Sequence, residues 1–156
     1  MRKAAVLALL LAAGTIPADD YPAPDGGAVA KVTAATAASC ESVVEISAGS
    51  TVIGTKSYAS ASHADGSCVV HAAWSPDSKF FVFSLSSSGG HQPWNSPIVA
   101  FAVAKKRFVD IEAIDAAITD PNFTLTAPSL LEFETTKMPL EGNKPKRQKA
   151  DLKYLG

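Results

Sequence analysis

His63, Asp65 and His71 are the first residues whose types and spacing could do chemistry: two imidazoles flank a carboxylate in one short stretch. Brought together by a hairpin, they would offer a divalent metal two nitrogens and an oxygen, and a metal-bound water would serve a hydrolase. The spacing matches no established ligand pattern, and neither Cys40 nor Cys68 completes one. These residues therefore read as loop polars and a strand-surface histidine, and no metal or cofactor is assigned. Glu132 and Glu134 share a strand face, as paired acids would, yet opposite Leu131 and Phe133 that face reads as solvent. The signatures Gly-x-Ser-x-Gly, His-Glu-x-x-His and Gly-x-x-x-x-Gly-Lys-Ser/Thr are absent, and no catalytic residue is assigned.

A second constellation lies in Ser86-Ser-Ser-Ser-Gly-Gly-His-Gln-Pro-Trp-Asn-Ser96. That segment is long for a hairpin connection, which usually takes roughly two to five residues. Its composition supports two readings. In one, Trp94 is a flat stacking surface, with His91, Gln92 and Asn95 as hydrogen-bond partners for a bound ligand. In the other, Trp94 folds back as a plug on the sheet edge, and Gly89-Gly90 only permits the turn.

The elements that would position these residues are mostly strands. Glu41–Ile46 and Thr51–Thr55 are β-branched runs separated by Ser-Ala-Gly-Ser, a hairpin signal. Cys68–Trp74 and Lys79–Leu85 flank Ser75-Pro-Asp-Ser78, with proline where a type I turn prefers it. Phe81, Phe83 and Leu85 alternate with Phe80 and Val82, so this strand is apolar on both faces and belongs inside a sheet. Ile98–Val103 and Arg107–Ile111 complete a four-stranded antiparallel meander. Isoleucines at 111, 114 and 118 predict a short amphipathic helix over Glu112–Ile118, ended by Asp120-Pro121. Asn122–Thr126 and Leu130–Thr135 are further strands. The expected fold is mainly β: a small antiparallel sheet, with a blade-like four-stranded meander, flanking strands and one short helix.

Ala73-Trp-Ser-Pro-Asp-Ser-Lys-Phe-Phe-Val-Phe-Ser84, followed by Ile98-Val-Ala-Phe-Ala-Val103, resembles one blade of the WD40-like, TolB-type β-propeller repeat. The Trp-Ser-Pro-Asp turn and the aromatic strand after it carry the likeness, over roughly residues 68–111. The chain is also similar to small exported bacterial proteins without an assigned activity. Trp-Ser-Pro-Asp occurs once, and closed propellers typically need at least four blades. The resemblance thus implies blade-like local structure and carries over no catalytic residue.

Arg2 and Lys3 precede an apolar run from Ala4 to Ala13 and small residues, the build of a secretory signal over residues 1–18, cleaved after Ala18 or, as the alternative, after Gly14. The run is too short to span a bilayer of about 30 Å as a helix, so no membrane span is expected after signal removal. Residues 19–39 read as a flexible lead-in, 40–136 as the β domain and 137–156 as a basic tail. The tail carries six basic and two acidic residues, whereas residues 19–136 carry six basic and thirteen acidic ones. Basic Lys144–Lys149 could dock on phosphates or an anionic membrane surface, but it lacks interleaved aromatics and suits its own acidic body better; no nucleic-acid partner is expected. Two cysteines in an exported chain predict a Cys40–Cys68 disulfide. The functional expectation is a noncatalytic binding or accessory module, periplasmic or extracellular, with a protein or glycan of the cell envelope as the kind of partner. The alternatives are a metal-assisted hydrolase on His63, Asp65 and His71, or a structural partner in a larger β assembly.

Overall fold

A computed structural model describes Ile16 and residues 18–155. The proposed signal segment thus lies outside the described residues, apart from Ile16 and Ala18. Among the described residues, twelve strands form three antiparallel four-stranded sheets. The first contains β1 (Ala18–Pro22), β2 (Val29–Ala34), β3 (Ser42–Ala48) and β4 (Thr51–Ser57) in chain order. The second is the expected meander: β5 (Ser67–Trp74), β6 (Phe80–Ser87), β7 (Ile98–Ala102) and β8 (Arg107–Ile111). In the third, β11 (Leu130–Lys137) pairs on one side with β12 (Lys146–Asp151). Its partners elsewhere are β9 (Ala116–Ile118) and β10 (Thr124–Thr126), at opposite ends of the strand.

The second sheet lies between the other two, which explains its double-faced apolar strands. Phe81, Phe83, Leu85, Val99 and Phe101 pack with Ala30, Val44 and Ile46 of the first sheet. From the opposite face, Phe80, Val82, Ile98 and Ala100 pack with Ile118, Leu131 and Phe133 of the third. The outer sheets are one-sided. On β11, buried Leu131 and Phe133 alternate with half-buried Glu132 and Glu134, as a sheet with one wet face requires.

The Trp-Ser-Pro-Asp turn is closed by its own polar groups. The Ser75 hydroxyl donates to Asp77 Oδ1 at 2.6 Å and accepts from the Phe80 amide at 3.0 Å. Buried Trp74 donates its indole N–H to the Tyr21 carbonyl at 2.8 Å, fastening the second sheet to the first.

Three expectations are corrected. Residues 19–39 are not a loose lead-in, because β1 and β2 form a registered hairpin whose turn region buries Ala23 and Ala28. Glu112–Ile118 is not a helix. Ile114 is 91% exposed, Asp115 has φ 53°, and Ala116–Ile118 pairs with Thr135–Lys137 instead. A seven-residue helix would have to offset its nucleation cost alone, whereas the strand gains a partner and buries Ile118. Among the described residues, helical structure is confined to single 3₁₀ turns at Val103–Lys105 and Leu152–Tyr154. Finally, the basic tail contains β12, which sets Lys149 opposite Glu132 and Arg147 opposite Glu134. Cross-strand opposite charges favour that register, and Lys149 forms an ion pair with Glu132. Leu152 then inserts fully buried into the second core.

Candidate functional site

The Cys40–Cys68 disulfide joins the start of the first sheet to β5, with Cα atoms 5.2 Å apart. Next to it, Glu41 is fully buried. Its carboxylate accepts from the Gly66 amide at 2.6 Å, the Ser88 hydroxyl at 2.7 Å, the Ser60 amide at 2.9 Å and the Ser60 hydroxyl at 3.1 Å. Burial pushes this carboxyl upward, but the donors from Ser88, Gly66 and Ser60 prevail and hold it down at about 2. One buried anion thus anchors two loops, Ala59–Gly66 and Ser88–Pro97.

Close approach between those loops depends on glycine. A Cβ on Gly89 would lie 2.6 Å from the Ala64 carbonyl oxygen, and one on Gly66 would lie 2.7 Å from the Glu41 carboxyl carbon. Within the first loop Ser62 donates to Asp65 at 2.8 Å, and across the gap His91 Nε2 of the second loop lies 3.5 Å from Asp65 Oδ1. His91, Gln92 and Asn95 border a shallow pocket of about 210 Å³ together with Asp65 and Pro97. Gln92 takes a left-handed φ of 51°, and its carbonyl accepts from the Asn95 amide at 3.0 Å, folding the loop back on itself. The loop rejoins the sheets through Ser96, whose amide donates to Ile118 at 2.7 Å.

Trp94 is 38% exposed at the tip of this turn, next to Asn95 in the chain. The pocket walls are formed by its neighbours rather than by the indole itself. Three of the four sequence-designated residues therefore share one depression, and the fourth stands beside it with a partly open ring.

His63, Asp65 and His71 are not brought together. His63 Nδ1 lies 3.7 Å from Glu41 Oε2, Asp65 faces His91, and the His71 ring packs against that of Phe123, centroids 4.4 Å apart and tilted by 60°, in the other interface. Among the described residues no three His, Cys, Asp or Glu side chains are grouped to hold a metal. Glu132 is held below the usual carboxylate range by its hydrogen bond to Lys149, which prevails over burial; Arg147 adds to it. Sequence reasoning missed Glu41; its only signal was a carboxylate placed directly after Cys40, at the mouth of a β-branched run. No family model matches the chain, and no curated protein matches it.

Proposed function

We propose that the protein is an exported, noncatalytic binding module that recognises a glycan or protein of the cell envelope through the Ser88–Pro97 loop. The observation that carries this reading is the partly exposed Trp94 ring beside a depression bordered by His91, Gln92 and Asn95. An indole offers a flat apolar face, and the neighbouring amides and imidazole can donate and accept in fixed directions. The Glu41 anchor and the disulfide hold both loops in place before any ligand arrives, which lowers the entropic cost of binding. A disulfide also suits an oxidising compartment. Among the described residues no helix is long and apolar enough to cross a membrane.

The same reading includes a single blade-like repeat over roughly residues 68–111. Its support is the Trp74-Ser-Pro-Asp77 turn inside the four-stranded β5–β8 meander. A mature chain starting at Asp19 would keep all but the first residue of β1. Intact mass of exported protein checks that start.

Iodide quenching tests the binding site. Trp74 is buried and Trp94 partly open, so quenching reports chiefly on Trp94. Soluble cell-wall oligosaccharides and detergent-free envelope extracts are the probes. Saturable protection by at least one, lost in Trp94→Ala while thermal stability is kept, is the expected result. Protection that survives in Trp94→Ala, or quenching unaffected by every probe, would overturn the assignment.

A further inference from the structure

We propose that a second cavity, at the opposite end of β6 from the Trp94 loop, binds a small apolar monocarboxylate. Four turns converge there. They are the Ser75–Lys79 turn, the 3₁₀ turn Val103–Lys105, the Ala127–Leu130 turn and the 3₁₀ turn Leu152–Tyr154. Their backbones interlock: the Asp77 amide donates to the Pro128 carbonyl at 3.2 Å, Val103 to Lys79 at 3.0 Å, and Leu152 to Ser129 at 3.0 Å. The space left between them is about 290 Å³, close to the lower end for small-ligand sites. Phe80, Ala102, Ala104 and Pro128 supply apolar wall.

The rim is cationic. Lys79, Lys105 and Lys153 all border the cavity, against one carboxylate, Asp77. Asp77 is already engaged, by the Ser75 hydroxyl on one oxygen and by Lys79 at 3.8 Å on the other. Lys153 is held by Asp151 at 2.7 Å and lies over the Tyr154 ring. Lys105 forms no ion pair with any described residue. An apolar body with a single anionic head therefore matches both parts of the site. The body covers Phe80 and Pro128, and the head meets the Lys105 ammonium at the rim. A polyanion would forgo the apolar wall, and a cation would meet three ammonium groups.

A series of similar size and different head charge tests the assignment on the intact protein: benzoate, benzyl alcohol and benzylammonium, titrated at constant ionic strength and followed by NMR. Benzoate is expected to give saturable shifts at Ala102, Ala104 and Ser129. Its affinity should exceed that of benzyl alcohol by about fivefold, the scale of one partly exposed ion pair, with benzylammonium weakest. Lys105→Gln should remove most of that preference without altering thermal stability. Ala104 is exposed, so Ala104→Phe should fill the cavity and abolish the shifts in a folded protein. Trp94→Ala should leave all three titrations unchanged, which separates this site from the loop. The proposal is overturned if benzyl alcohol binds as tightly as benzoate, if Lys105→Gln keeps the preference, or if no saturable shift arises at these residues.

Discussion

The Ser88 hydroxyl donates to the buried Glu41 carboxylate across 2.7 Å, joining residues 47 positions apart in the chain. Ser88 opens the long loop, and Glu41 immediately precedes the first sheet's third strand, so the bond sets the loop against a rigid base. The Ser88 amide also donates to the Gly66 carbonyl at 2.9 Å, while the Gly66 amide donates to Glu41. Carboxylate, glycine and serine thus form a closed ring of hydrogen bonds under the candidate recognition loop. Removing the anion would strand several buried donors at once.

Glu41→Gln should lower the melting temperature by roughly 5 °C or more, because an amide replaces one acceptor oxygen with a donor facing other donors. The same variant should flatten the acid response. Glu41 has a folded pKa of about 2, below the ordinary 4.5, so the unfolded chain binds more protons as pH falls through this range. Wild-type stability should therefore be fully present above about pH 5 and decline as pH drops toward 2. Asp151 and Glu132 are lowered as well, chiefly by hydrogen bonds to Lys153 and Lys149, and act with the same sign. The lysine of each pair is largely exposed, so about 0.5 M salt should weaken their share more than that of Glu41. Denaturant melts from pH 7 to pH 2.5 check the sign; equal slopes in wild type and Glu41→Gln at high salt would refute the buried anchor.

The disulfide closes a loop between residues 28 positions apart. In the chain-entropy description such a closure contributes about 3.6 kcal/mol. Cys40→Ser/Cys68→Ser is expected to lose about that much in urea unfolding, and alkylation of the unreduced wild type should label neither sulfur. Labelling of both cysteines in native and denatured protein would show that the bond does not form.

What could be read in the sequence follows from where each signal originates. The β5–β8 meander was legible because β6 carries large apolar residues on both faces and a proline turn precedes it. The β1–β2 hairpin was hidden because it buries alanines, Ala23, Ala28 and Ala30, whose weak hydrophobic signal matches that of a linker. Lys146-Arg-Gln-Lys149 hid β12 for another reason: only a distant partner, with Glu132 and Glu134, makes a strand of it. The isoleucine spacing over 111–118 also fits two strand ends joined by a turn, with Ile111 and Ile118 buried and Ile114 outside. At the candidate site the loop announced itself by length and composition. Glu41 did not, since its burial depends on donors supplied by Ser60, Gly66 and Ser88.

Gly54 shows how a strand glycine acquires meaning only through packing. It lies in β4, and a Cβ there would come within 2.7 Å of the Phe101 Cζ, from a ring that is fully buried. Phe101 is wedged against Phe108 with ring centroids 4.8 Å apart, so it has little room to withdraw. Gly54→Ala is expected to destabilise the fold by about 1–3 kcal/mol through overpacking, despite alanine's lower backbone entropy cost. A neutral or stabilising result in chemical denaturation would show that the first and second sheets can separate locally without penalty.

The two tryptophans provide the sharpest contrast. Trp74 is buried against Phe81, with ring centroids 5.3 Å apart, and its indole N–H is satisfied by Tyr21. Trp74→Ala should therefore cost roughly 3–5 kcal/mol, the usual range for truncating a buried aromatic. Trp94 is 38% exposed and lies outside both buried core clusters. Its truncation is expected to change stability by no more than about 0.5 kcal/mol. Thermal and urea unfolding of both variants decide the point before any ligand is known. If Trp94→Ala loses as much stability as Trp74→Ala, the indole is a plug on the sheet edge and the recognition surface proposed for the loop falls with it. If the loss is negligible, the ring is free to stack on a ligand, and the iodide-protection screen measures which envelope component covers it.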